Sequence, residues 1–190
     1  MSRYFPHAPY AEDQPLARTI LTTHVATRAV TMGTLIGVGI TGARTVIPAL
    51  RPKTALPQAF AARLLRSCAS SIVVTLGVTG LALVGRMWGR EAIERQDRSW
   101  RLMENRGQLE TDDWTYGGMG AATAAALLVM ARAGGEAKKP AVAVVGWRGV
   151  VGAAGLGSVG GMMGYLGWRY AVNGGKFSGT LAKKEERTGL

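Results

Sequence analysis

The side chains able to do chemistry in this 190-residue chain are few and scattered. His7 and His24 stand far apart, and neither has a second donor at a metal-ligand spacing. Cys68 is the single cysteine, which excludes an intramolecular disulfide and a cysteine metal cluster and leaves the reading of a small buried residue. Asp112 and Asp113 could in principle form a paired-carboxylate acid–base site, but neighbours on a helix do not face one another. The pair reads instead as a cap that complements the dipole at the start of an apolar helix. No Gly-rich loop leads into Lys-Ser/Thr, and no nucleophile elbow is present. These residues describe a chain that is not an enzyme, with no catalytic, cofactor-binding or metal-binding residues.

The elements around them carry most of the information. The chain is 47% hydrophobic yet holds 23 basic and 12 acidic residues, and its mean hydropathy is +0.11. The charges are segregated into short segments between uncharged runs, as in a multi-span membrane protein. A helix needs about 20 mainly apolar residues to cross a hydrocarbon core roughly 30 Å thick. Uncharged runs of that length predict spans near 67–85, 114–131 and 149–168. A weaker run near 24–43 reaches the length only by including His24 and Arg28, the latter able to snorkel to the interface. The expected fold is therefore all-α: four transmembrane helices over 19–170, a charged amphipathic helix in the 86–113 loop, an extended arm over 1–18 and a basic tail over 171–190. A soluble helical core would use more Leu, Ile and Phe than a chain with only 3 Phe, and its 27 Gly would weaken water-exposed helices. The N-terminal segment lacks an apolar signal core and carries Glu12 and Asp13, unlike a secretory signal or a cleavable presequence.

Helices in a bilayer associate through close contact, which small residues at four-residue spacing allow. The first span offers Ala29, Gly33, Gly37 and Thr41, the second Ser71, Thr75 and Thr79, and the third Gly117, Ala121 and Ala125. The fourth offers Gly149, Ala153, Gly157 and Gly161, with a further pair at Gly160 and Gly164. These stripes predict a packed bundle in preference to a substrate path, because mid-span positions show no charge. In the 86–113 loop the pairs Glu91/Arg95, Glu94/Arg98 and Asp97/Arg101 favour a helix that continues the second span, with Gly107 as its stop. Ile93, Trp100 and Met103 share one side of it. With Trp88, Arg98 and Arg101 they form a candidate docking surface for a partner or for the membrane interface.

The formal net charge is +11, but the bases flank spans and have no interleaved aromatic platform, so headgroup and orientation roles are expected and nucleic acid is not. Bases in the short first and third loops place those loops on the positive-inside face, whereas the total count of Lys and Arg favours the opposite side.

The order of Gly-striped spans resembles the four-span mitochondrial inner-membrane Tim family, which includes translocase subunits and the four-helix membrane-arm accessory subunit of respiratory complex I. The resemblance rests on Gly33 and Gly37, on the run from Asp112 to Ala122 (DDWTYGGMGAA) and on the Gly-rich fourth span, and covers about Thr19 to Trp168. The 86–113 loop is longer and more charged than the family pattern. The resemblance implies a multi-pass, non-catalytic subunit of a large inner-membrane complex, most specifically complex I (NADH:ubiquinone oxidoreductase), that stabilises assembly by helix packing. The alternatives are a translocase or channel subunit, and a membrane-complex assembly factor. Expected partners are other membrane subunits and phospholipids, with room for a structural lipid such as cardiolipin.

Overall fold

The computed structural model describes residues 4–50, 59–134 and 146–177. Arg51, Lys53, Lys138, Lys139, Lys183, Lys184 and Arg187, among the bases of the loops and tail, lie outside the described residues. Among the described residues the chain is helical, without strands. Its helices are α1 (Ala17–Val46), α2 (Phe60–Met87), α3 (Ala92–Glu104), α4 (Arg106–Gly134) and α5 (Trp147–Leu166), the last continued by a π-helical turn, Gly167–Val172. All except α3 are long and apolar enough to cross a membrane.

The helices run beyond the uncharged stretches because backbone hydrogen bonding continues into the charged flanks: α1 alone adds Ala17–Thr23 ahead of the expected span, in a helix of 30 residues. Four threonines in α1 are buried, and each hydroxyl donates to a carbonyl one turn earlier: Thr27 to Thr23 at 2.8 Å, Thr31 to Thr27 at 3.2 Å, Thr34 to Val30 at 2.8 Å and Thr41 to Gly37 at 2.9 Å. With their hydroxyls satisfied locally, these side chains pack as small apolar groups.

Helices α1 and α2 are antiparallel. A Cβ on Gly33 would lie 2.7 Å from the Ile72 Cα, and one on Gly37 would lie 2.5 Å from the Cys68 Cα, so only glycine permits this approach. Helix α5 is the hub. Gly152 meets the Leu65 backbone of α2, Gly155 meets Thr34 of α1 and Ile72 of α2, and Gly157 and Gly161 meet Gly118 and Trp114 of α4. Gly149 and Ser158 of α5 are buried as well. Among the described residues helix α4 rests mainly on α5, and little of its apolar stretch is buried.

Three local expectations change. Helix α3 does not continue α2, because Trp88 is extended and Gly89 takes φ +69°, a left-handed conformation that breaks the helix. Gly107 is not a stop: α3 ends at Glu104, the extended Asn105 turns the chain, and Gly107 lies in the first turn of α4. Asp112 and Asp113 do not cap α4, whose cap is Asn105, with Oδ1 accepting from the Gln108 N–H at 3.1 Å.

Candidate functional site

The end of the bundle that carries α3 gathers the start of α1, the ends of α2 and α5 and the start of α4. Here α1 and α4 meet through long side chains. Asp112, 0% exposed, accepts a charge-assisted hydrogen bond from the Arg28 guanidinium through Oδ1. Gln108, one turn earlier on α4, donates its amide to the same oxygen at 3.0 Å. The other oxygen, Oδ2, lies 3.7 Å from His24 Nδ1, beyond hydrogen-bonding distance, and both atoms are buried without a hydrogen-bond partner among the described residues. One turn further into the bundle, the Thr27 hydroxyl and the Tyr116 hydroxyl share a hydrogen bond of 2.8 Å.

The spacing explains the arrangement. His24, Thr27 and Arg28 occupy one face of α1, and Gln108, Asp112, Thr115 and Tyr116 the facing stripe of α4. A carboxylate this deeply buried is tolerable only with a cation and further donors around it. The cluster is a polar lock across a gap that backbone contact does not bridge. Ile20 and Met103 seal it on one side, with Phe5, Leu102, Leu109 and Tyr116 packed against them. No group of three or more His, Cys, Asp or Glu residues able to hold a metal is present among the described residues.

The N-terminal arm straps this end. Gln14, buried among the arm residues, accepts from the Ala8 N–H at 3.2 Å and donates to the carbonyls of Pro6 and Pro15 at 2.9 and 3.1 Å. The arm in turn receives the Trp100 indole N–H on the Ala8 carbonyl at 3.0 Å and the Gln96 amide on the Glu12 carbonyl at 2.8 Å. His7 stacks on Trp100 and lies 3.3 Å from a Glu104 oxygen.

The expected docking residues therefore divide. Trp100 and Met103 face the chain's own arm and α1, whereas Trp88 is 80% exposed and Ile93 is exposed. Arg98 is half-buried. Arg101 is exposed and held by Asp97 at 3.0 Å, while Glu94 pairs back to Arg90 at 3.3 Å and Arg95 donates to the Arg90 carbonyl at 2.6 Å. Of the packing stripes, Ala29, Gly33, Gly37, Gly149, Gly157 and Gly161 turn inward, while Ala153 is half-buried. Gly117, Ala121 and Ala125 face outward, and the glycine of α4 that touches α5 is Gly118. Sequence reasoning missed the Arg28–Asp112–His24 cluster, whose partners are far apart in the chain. It also missed Arg169, which sits over the Phe177 ring at 4.1 Å and donates to the Tyr165 hydroxyl at 3.0 Å. The four-residue spacing of Tyr165 and Arg169 was the available signal for the second contact.

Four apolar helices of spanning length, pinned at one end by a buried ion pair, make this a multi-pass helical membrane protein. No family model, no curated protein and no solved structure matches the chain.

Proposed function

We propose that the chain is a non-catalytic structural subunit of a larger membrane assembly. The observation that carries this reading is the contrast between the outward faces of α2 and α4. The outward face of α2 is mostly bulky and lipid-like, with Val73, Val74, Val78, Leu81 and Val84 exposed around the single small residues Gly77 and Ala82. The outward face of α4 is small from Gly117 to Ala125, with Gly117, Gly120, Ala121, Ala124 and Ala125 exposed ahead of the bulky Leu127, Leu128 and Val129, and a Cβ on either glycine would meet open space. In lipid a small-residue face gains most from another helix brought into close backbone contact. The finer terms of the proposal are a mitochondrial inner-membrane location and accessory membership of respiratory complex I. They draw on the resemblance of the Gly-striped spans to that family and on the basic, single-cysteine composition of the chain. Digitonin extraction followed by native-gel separation tests the reading. The chain should migrate with respiratory subunits, and migration as a free small oligomer overturns it.

A second reading, a subunit of a protein translocase or channel, draws on a groove of about 530 Å³ between α4 and α5. Its floor is Gly118 and Gly161 and its rim Trp114, Gly117, Ala121 and Gly164. Co-migration with import machinery in the same native gel would favour this reading over the first.

A further inference from the structure

The cleft between the start of α1 and the end of α2 has the chemistry of a phospholipid site. It measures about 600 Å³, within the range of roughly 300–1,000 Å³ typical of small-molecule sites. One wall is apolar, built from Leu21 of α1 and Leu83, Val84 and Met87 of α2, and its exposed surface is mostly apolar. Its mouth holds three arginines, Arg18, Arg90 and Arg95, beside Trp88.

The two halves lie at the boundary where the apolar length of α2 gives way to the charged α2–α3 turn, as membrane depth requires of an amphipathic ligand. The turn itself creates the mouth. The positive φ of Gly89 throws the chain sideways, and the Arg95 guanidinium fastens it through the Arg90 carbonyl. Arg90 shares its charge with Glu94, whereas the Arg18 guanidinium has no partner among the described residues. Trp88 is exposed at the level where indole rings favour the headgroup region.

We infer that this cleft binds an anionic phospholipid, with the phosphodiester held by Arg18, Arg90 and Arg95 and an acyl chain lying along Leu21 and Val84. Guanidinium groups match phosphate oxygens with paired N–H donors, and the apolar wall continues into the hydrocarbon region. The inference requires only that the chain sits in a membrane. It stands or falls separately from the choice between accessory and translocase subunits.

Native mass spectrometry of the full chain in detergent tests it, with dioleoyl phosphatidylglycerol titrated against dioleoyl phosphatidylcholine. The chain should retain one phosphatidylglycerol with at least about tenfold preference, the combined gain from several interfacial arginines. Combined Arg18→Gln, Arg90→Gln and Arg95→Gln substitution should remove the preference. Combined Arg63→Gln, Arg132→Gln and Arg148→Gln substitution, which removes equal charge from the opposite end, should keep it. Equal loss in both triple variants, or no preference in the unsubstituted chain, overturns the inference. Should the first triple variant fail to fold, Arg18→Gln alone serves: an exposed residue without a partner among the described residues, its loss should weaken binding roughly fivefold, and an unchanged affinity is a refutation. Val84→Trp, which fills the apolar wall, should also displace the lipid. Displacement by millimolar inorganic phosphate would instead mark a free-anion site and refute the lipid assignment.

Discussion

At the scale of single residues, the structure turns on glycines whose neighbours decide their worth. Gly117 and Gly118 are adjacent and equivalent in composition, yet a Cβ on Gly118 would run into the Gly157 carbonyl oxygen while one on Gly117 would meet open space. Gly118→Ala should therefore separate α4 from α5 and destabilise the bundle by about 1–3 kcal/mol, the usual range for overpacking, while Gly117→Ala leaves it unchanged. Thermal unfolding of the two variants in detergent checks this, and equal midpoints would refute it. The Arg28–Asp112 pair gives the second residue-scale prediction. Arg28→Gln leaves a fully buried carboxylate without its cation, a change that costs about 3–5 kcal/mol. Replacing both residues together, as Arg28→Met with Asp112→Leu, should recover most of that loss, because the orphaned charge is gone. A double-substitution cycle measured by unfolding in detergent would show coupling near zero if the pair were merely incidental.

At the scale of elements, the four spans were legible because an uncharged run of bilayer length is a strong constraint, and the intervening α3 because its acids precede its bases by one turn. The limits of the helices were not legible to the same degree. Charge marks where the bilayer ends but not where i to i−4 hydrogen bonding ends, so the span expected near 24–43 lies inside a helix that already begins at Ala17. The facing of α4 could not be phased either: Gly117, Gly118, Gly120, Ala121 and Ala122 are small at nearly every step, and such a run has no distinct stripe. The side of α3 that bears Trp100 was read as a docking surface for a partner or for the membrane interface, but the arm residues Ala8 and Glu12 accept from Trp100 and Gln96. Gln14 holds that arm in shape through three hydrogen bonds. Gln14→Ala should loosen it by about 1–3 kcal/mol, the cost of leaving its buried partners unpaired. Amide hydrogen exchange should then rise over the arm and α3 while α2 and α5 keep their protection. Uniform exchange across the chain would contradict a local role for Gln14.

At the scale of the whole molecule, the distribution of contacts is uneven in a way that an isolated bundle does not explain. Helix α1 buries eight residues against α2, α3 and α5, whereas α4 is fastened along α5 by Gly118 and its neighbours and at one end by Asp112. From Gly117 to Ala125 the outward side of α4 is small where a lipid-facing helix gains nothing from being small, and beyond it Leu127, Leu128 and Val129 are lipid-like. Sequence alone could count small residues but could not say which of them are spent inside the molecule, since that depends on which helix becomes the hub. With α5 as hub, Gly152, Gly155, Gly157 and Gly161 are used internally, and Gly117, Ala121 and Ala125 remain for a neighbour. Gly117→Leu combined with Ala121→Leu should therefore leave unfolding of the purified chain within about 0.5 kcal/mol of the original, the range of substitutions that touch nothing within the fold. The same variant, expressed in cells in place of the original, should fail to enter the high-mass band on a native gel, because the added side chains hold a partner helix away. Normal incorporation of a stable double-leucine variant would show that this face meets only lipid, and the partner surface would have to lie elsewhere, with Trp88 and Ile93 the next exposed apolar residues to substitute.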